Sequence, residues 1–232
     1  MNERLQPAFI GQAGSGAISE QRNRVLRNTY WLLALSLVPT VLGAWVGVST
    51  GVMARLGMGI STIVFLAGAF GFMFAIEKFK NSSAGVMLLL GFTFFMGLML
   101  SRLLAAVLGF SNGASLIMYA FSGTAAVFFA MASLSSVIKR DLSNMGKFLF
   151  VGAVLLLVAG LINLFVQSGA LMITLSVIAI GLFSAFMLYD LKRVIDGGET
   201  NYVSATLAIY LDIYNVFQSL LALLGIFGGE RD

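Results

Sequence analysis

The chain alternates between long apolar runs and short polar connections along almost its whole length. Seven of the runs are long enough to cross a bilayer, because a spanning helix needs about 20 mainly apolar residues. They cover residues 29–50, 56–76, 84–108, 115–138, 146–167, 171–191 and 203–227. Gly, Ser and Asn mark most of the connections, as expected of turns between helices. The pattern therefore predicts an all-α membrane protein, a bundle of seven transmembrane helices.

Polar segments flank the apolar runs at both ends of the chain. Residues 1–28 form a polar N-terminal tail, and its glycine- and serine-rich stretch from Gly11 to Gly16 is expected to be flexible. This tail is too long and too polar for a cleavable signal peptide, so the first apolar run is predicted to act as an uncleaved anchor. The expected organisation is a tail at 1–28, a helical domain at 29–227 and a short C-terminal tail at 228–232.

Lysine and arginine are distributed unevenly between the two sides of the predicted bundle. If the N-terminus is cytoplasmic, the other side holds only three basic residues, Arg55, Arg102 and Arg231. The cytoplasmic side holds eleven, namely Arg4, Arg22, Arg24, Arg27, Lys78, Lys80, Lys139, Arg140, Lys147, Lys192 and Arg193. Cytoplasmic loops usually carry the excess of basic residues. Seven spans with a cytoplasmic N-terminus and an external C-terminus fit this asymmetry, whereas six or eight would not.

Composition excludes several classes of protein. Of the 232 residues, 59% are hydrophobic and only 10% are charged, against about 25% charged in a soluble domain. The absence of cysteine and histidine removes thiolate chemistry, the usual metal ligands and the usual switch near neutral pH. The net charge of +4 lies in the connections, which indicates membrane orientation and no nucleic-acid partner. A soluble enzyme, a haem protein and a zinc protein are all excluded.

Two aspartates, Asp190 and Asp212, lie inside the sixth and seventh apolar runs. A carboxylate in hydrocarbon costs about 2.5–3.5 kcal/mol, so such residues usually face a partner, a water-filled cavity or an ion path. Small and polar residues recur at helical spacing on the Asp212 side of the last run. They are Asn201, Ser204, Ala205, Ala208, Asn215, Ser219 and Ala222. Because such residues let helices approach closely, the seventh helix is predicted to be central with this stripe turned inward.

The spacing of the two aspartates permits a pair without requiring one. At 1.5 Å per residue, Asp190 would lie about 9 Å from the end of its helix and Asp212 about 18 Å into the next. Tilt or bending would have to close the resulting axial offset of about 9 Å. Two carboxyls that meet in a low-dielectric site share a proton unless a cation or a basic side chain joins them. Since calcium prefers oxygen ligands, a proton-sensitive cation conduit is one hypothesis, with Asn215 and Ser219 as candidate lining.

Short motifs in the expected spans carry a family resemblance. They are Arg27-Asn28-Thr29-Tyr30 before the first span, Lys139-Arg140-Asp141-Leu142-Ser143 after the fourth, Tyr189-Asp190 in the sixth, and Tyr210-Leu211-Asp212-Ile213-Tyr214-Asn215-Val216-Phe217 in the last. From about Arg24 to Phe227 the chain resembles the Bax inhibitor-1 family, the transmembrane Bax inhibitor motif proteins. The stretch Gly197-Gly198-Glu199-Thr200-Asn201-Tyr202 is similar to the bacterial inner-membrane branch of that family.

The resemblance implies a seven-helix bundle around a central seventh helix in the bacterial inner membrane. It also implies a calcium leak gated by pH through an aspartate pair that maps onto Asp190 and Asp212. Calcium would then be the transported ion, held only transiently by the pair, and no cofactor is expected. In calcium-leak members a basic residue at the inner end of the second helix latches the pair. The matching region here offers Glu77, Lys78 and Lys80.

Non-conducting interpretations stay open. Asp212 could be an interhelical hydrogen-bond anchor, and Asp190 could form a structural ion pair with Lys192 or Arg193. Another bacterial branch of the family restrains a membrane-anchored ATP-dependent protease of the FtsH type. The chain could be such a modulator of a protease or of a membrane stress response, acting through its cytosolic face.

An intramembrane aspartyl protease is the remote alternative, since the chain is otherwise not expected to be an enzyme. Those proteases carry Gly-x-Gly before the second aspartate, where this chain has Tyr210-Leu211, and they carry a later Pro-Ala-Leu element. The only prolines here are Pro7 and Pro39. Glycine pairs, Gly43 with Gly47 and Gly68 with Gly71, could pack helices within one chain or between chains, so the oligomeric state also stays open.

Overall fold

The computed structural model describes the backbone of residues 7–230 and the side chains of residues 20–230. Two of the basic residues that predict the orientation, Arg4 and Arg231, lie outside the described residues. The described backbone forms eight helices. They are α1 (Pro7–Thr50), α2 (Val52–Arg55), α3 (Gly57–Phe79), α4 (Ser83–Leu108), α5 (Gly113–Val137), α6 (Met145–Val166), α7 (Gly169–Ile195) and α8 (Tyr202–Gly228).

Seven of the described helices are long and apolar enough to cross a membrane: α1 from Glu20 onward, and α3 to α8. This confirms the predicted all-α architecture of seven spans. The remaining helix, α2, is a four-residue turn after Gly51, whose φ of 64° is a conformation that glycine adopts without strain. Seven crossings place the two ends of the bundle's chain on opposite sides, and which side is cytoplasmic stays a prediction.

The N-terminal part of α1 corrects one expectation. The stretch from Gly11 to Gly16, predicted to be flexible, lies inside α1, which begins at Pro7. Proline is favoured in the first helical turn because its φ is already suitable there. A glycine inside a helix costs only about 1 kcal/mol relative to alanine, so a continuing helix can include several of them. The helix is therefore longer than the apolar run that predicted it.

Helix α8 occupies the centre of the bundle. It contacts α1, α3, α4, α5 and α7, and twelve of its 27 residues are buried. These include Asp212 and Ser219 from the polar stripe, and also Ile209 and Val216 from the apolar sides. The predicted central position of the last spanning helix is confirmed. Ile209 and Val216 pack against other helices, whereas Ile226 and Phe227 near the end of α8 are exposed.

Glycines bring α1 and α4 into direct backbone contact. A Cβ added at Gly43 would collide with the carbonyl oxygen of Phe94, and one added at Gly97 would collide with that of Thr40. The pair Gly43 and Gly47 therefore packs helices within the chain. Gly68 of α3 lies against the ring of Phe95.

One end of the bundle, called here the basic end, comprises residues 20–28 of α1 and three connections between helices, at 80–82, 138–144 and 196–201. Asn201 Nδ2 donates to Asn81 Oδ1 at 2.8 Å and to the carbonyl oxygen of Lys80 at 3.2 Å. At the opposite end, Asn112 Nδ2 donates to the carbonyl oxygen of Gly228 at 2.6 Å, and Asn112 Oδ1 accepts from Glu230 N at 3.2 Å. Hydrogen bonds thus fix both ends of α8.

Candidate functional site

Asp190 of α7 and Asp212 of α8 face each other inside the bundle, on the basic-end side of its centre. Their carboxyl groups are in hydrogen-bonding contact. Asp212 is 4% exposed, and the side chain of Asp190 is 12% exposed. The structure therefore brings together the two acidic residues that the sequence singled out.

The register and direction of the two helices explain why the carboxyls meet. Val194 of α7 and Ala205 of α8 lie in one cluster of buried residues, which places Asp190 roughly level with Ile209, about three residues or 4.5 Å before Asp212. Side chains in a helix lean toward its N-terminus. Because α7 and α8 run antiparallel, Asp190 and Asp212 lean toward each other. The offset of about 9 Å expected from the sequence is too large, since it ignored the loop geometry and the lean.

Asp190 also has a cationic partner. The Nη1 atom of Arg193 lies 3.8 Å from Asp190 Oδ1. The other candidate, Lys192, instead pairs with Asp196, with its Nζ 2.7 Å from Asp196 Oδ1. The ion pair considered as an alternative role for Asp190 is therefore present together with the carboxyl–carboxyl contact.

One buried oxygen of the pair receives no hydrogen bond from a described donor group. Asp212 Oδ2 is buried and has no hydrogen-bond partner among the described residues. A buried charged oxygen without a partner is costly, so it favours a proton, a water molecule or a cation beside it. The described part of the chain contains no cluster of three or more Asp, Glu, His or Cys residues suited to a metal. Calcium binds about six to eight oxygens, so two carboxylates fit a passing, largely hydrated ion better than a resident one.

Two of the three latch candidates on and after α3, Glu77 and Lys80, contact the start of α8. Glu77 forms a short ion pair with Lys80 and accepts a hydrogen bond from Ser204 Oγ at 3.0 Å. The hydrogen bond to Glu77 raises the pKa of the Lys80 amine above its usual value. Lys78 lies with its Nζ 5.7 Å from the ring centroid of Phe79. The structure thus places Glu77 in direct contact with the first turn of α8, and a latch on the aspartate pair stays a prediction.

The two candidate lining residues lie one and two turns beyond Asp212 on the same side of α8. Asn215 is half-buried, and its Nδ2 donates to the carbonyl oxygen of Leu211 at 2.7 Å. Ser219 is buried at 9% exposure. The structure places both along the predicted stripe, and their role in a path stays a prediction.

Two tyrosines that the sequence analysis left without a role tie α8 to its neighbours. The hydroxyl of Tyr210 lies 2.9 Å from Thr40 Oγ1 of α1, and the hydroxyl of Tyr214 donates to the carbonyl oxygen of Met96 at 3.2 Å. Residues two positions apart on a helix point about 200° apart. The spacing of both tyrosines from Asp212 was therefore a signal that they face away from α7.

The comparison with known protein families matches residues 22–229 to the family described as inhibitor of apoptosis-promoting Bax1. The chain belongs to the Bax inhibitor-1 family. This confirms the resemblance carried by the motifs around Arg27, Asp141, Asp190 and Asp212.

Bacterial relatives match nearly the whole chain. An uncharacterized membrane protein of Vibrio cholerae is 39% identical over 210 residues, 89% of this chain and 91% of the relative. The modulator of FtsH protease YccA of Escherichia coli is 36% identical over 203 residues, 88% of this chain and 90% of the relative. The same identity and coverage hold for an Escherichia coli protein named inner membrane protein YccA. Together with the seven spans, these relatives identify a multi-pass protein of the bacterial inner membrane.

Proposed function

We propose that this Bax inhibitor-1 family protein is a gated leak for cations, with calcium as the main transported ion and Asp190 and Asp212 as the gate. The supporting observation is the contact of two buried carboxyl groups from adjacent helices. A structural role needs only one carboxyl and a hydrogen-bond donor. Two acids that face each other need a proton or a cation between them, because both charges together repel strongly in a low-dielectric site.

Proton and cation would compete for the same position in this proposal. With a proton between the carboxyls, Asp190 and Asp212 hold α7 and α8 together and the site is closed to ions. Without the proton, repulsion separates the carboxylates or draws in a positive ion. The buried Oδ2 of Asp212, which accepts no hydrogen bond from a described donor, supplies an acceptor for such an ion. Cation passage should therefore depend on pH although the chain has no histidine.

Calcium flux into liposomes that contain the purified protein tests this proposal. We expect a pH-dependent flux for the wild type, and a strongly reduced flux with a flattened pH profile for Asp190→Asn and for Asp212→Asn. Asparagine keeps the size of the side chain but cannot ionise. Asp196→Asn is the matched control, because this acid lies just after α7 and pairs with Lys192. A wild type that passes no calcium at any pH would overturn the proposal.

A second function, modulation of a membrane-anchored ATP-dependent protease, is supported by the 36% identity to a relative named as a modulator of FtsH protease. We propose that residues 1–28 and the basic end of the bundle would form the contact surface. Removal of Met1 to Gln21 should then change the turnover of such a protease in cells. Unchanged turnover would count against regulation through the tail. Asp212→Asn in the same assay separates the two functions, because modulation that survives this change does not need the ion path.

A further inference from the structure

The connection between α7 and α8 folds back onto Arg193. The carbonyl oxygen of Arg193 accepts hydrogen bonds from Gly198 N at 2.8 Å and Glu199 N at 3.1 Å. Gly197 makes this turn with a φ of 79°, where a side chain would be strained. The turn brings the carboxylate of Glu199 beside the guanidinium of Arg193.

The guanidinium of Arg193 lies between two acids. Its Nη1 is 3.8 Å from Asp190 Oδ1, whereas its Nη2 is 3.3 Å from Glu199 Oε2. The group also lies 5.7 Å from the ring centroid of Tyr189. A planar guanidinium can serve two carboxylates with different arms. Here the closer carboxylate is Glu199, and the looser contact is the one to Asp190.

The same guanidinium lies on the exposed side of the aspartate pair. Exposure of the side chains falls from 42% for Arg193 to 12% for Asp190. Asp212 behind them is 4% exposed. A cation that approaches the pair from the basic end therefore meets a fixed positive charge directly beside Asp190.

We propose that Arg193 is a built-in competitor of the entering cation for Asp190, and that Glu199 sets the strength of this competition by holding the guanidinium. This inference rests on the proposed cation leak. With Glu199 in place, the guanidinium is shared and Asp190 keeps room for an ion. Without Glu199, the guanidinium closes on Asp190 and excludes the ion. Arg193 and Glu199 are positioning residues that act through Asp190.

The contacts around Glu199 fix its position. Its Oε1 accepts a hydrogen bond from Asn201 N at 2.9 Å. Asn201 in turn caps α8 by accepting from Val203 N and Ser204 N. These contacts give a structural role to a stretch that the sequence linked only to the family's inner-membrane branch, Gly197-Gly198-Glu199-Thr200-Asn201-Tyr202. It anchors the acid that controls Arg193.

The neighbouring pair of Lys192 and Asp196 provides matched controls. Charged groups that act on Asp190 are Arg193 on its own helix, Asp212 on α8 and Glu199 in the connection. Lys192 and Asp196 carry the same charges as Arg193 and Glu199 and lie close to them in the sequence. They pair with each other instead, with Lys192 Nζ 2.7 Å from Asp196 Oδ1.

The test measures calcium binding to the purified full-length protein in detergent, and calcium flux in liposomes, at one fixed pH. Arg193→Gln should tighten binding and raise flux roughly two- to fivefold, the range expected for a partly exposed ion pair. Glu199→Gln should weaken binding and lower flux by a similar factor. The double variant should match Arg193→Gln, because Glu199 then has no guanidinium to hold. Lys192→Gln and Asp196→Asn should leave both measurements unchanged.

Four outcomes would overturn the inference. An Arg193→Gln variant that behaves like Lys192→Gln, in a protein that conducts calcium, refutes the competition and leaves the proposed leak intact. Independent effects of Arg193→Gln and Glu199→Gln in the double variant refute the holding role of Glu199. Arg193→Lys keeps the positive charge, so its calcium binding and flux should stay below those of Arg193→Gln; a lysine variant that matches the glutamine variant indicates packing instead of charge. A wild type that neither binds nor passes calcium refutes the leak and this inference together.

Discussion

Helices α6 and α8 are both long enough to cross the membrane, but one lies at the edge of the bundle and the other at its centre. Leu149 is the one buried residue of α6, whereas twelve residues of α8 are buried. In the described structure α6 contacts only α7, and α8 contacts five other helices. Yet α6 is the most apolar spanning helix, and α8 is among the least apolar. Hydrophobicity and burial are therefore inverted between the two.

The most apolar helix is the least buried because the bundle is surrounded by lipid instead of water. Lipid tails are as apolar as a leucine side chain, so an apolar helix gains little by leaving lipid, and helices associate through packing and polar contacts. Phe148 and Phe165 of α6 are 79% and 88% exposed in the bundle, which suits a surface covered by lipid. Asp212 and Tyr210 of α8 need polar partners, which only the interior of the bundle supplies.

The largest expected difference between the two helices comes from the same substitution in each. Leu221 of α8 is fully buried, and Leu155 of α6 is 63% exposed. Leu221→Ala should lower the free energy of unfolding by about 2–5 kcal/mol, because it leaves a cavity. Leu155→Ala should change it by less than about 0.5 kcal/mol. Thermal unfolding in one detergent measures both, and equal losses would show that α6 packs against a partner as tightly as α8 does.

A smaller effect should follow from the loss of one hydroxyl on α8. Tyr210→Phe removes the hydrogen bond to Thr40 and should cost about 1 kcal/mol of unfolding free energy. Tyr119→Phe on α5, where the side chain is 61% exposed, is the control that should cost almost nothing. A double-mutant cycle with Thr40→Val assigns the difference to this contact, and zero coupling between the two positions would contradict it.

The sequence was sufficient for the spans and for the central helix. Run length alone located the seven crossings, because a membrane sets the length of an apolar helix. The stripe with Asp212, Asn215 and Ser219 identified α8 as central, since polar residues on one face cannot all point to lipid. These features depend on composition and periodicity, which a single chain displays directly.

The parts that the sequence could not supply depend on how helices are placed relative to one another. The contact of Asp190 with Asp212 required the register between α7 and α8. The partner of Arg193 required the turn at Gly197, whose backbone conformation brings Glu199 back. The contact of Glu77 with Ser204 joins residues more than a hundred positions apart. Helix propensity and hydrophobic periodicity are local properties, so neither predicts a contact between residues so far apart in the sequence.

The clasp of Asn112 on Gly228 and Glu230 has a mechanical consequence for the whole molecule. These hydrogen bonds hold the C-terminal end of α8 at the connection between α4 and α5. Asn201 holds the other end of this helix to Asn81 and Lys80, so α8 can turn about its own axis more easily than it can tilt. Asp212 sits between the two held ends, so a small turn of the helix would change what its carboxyl group faces while both ends stay in place.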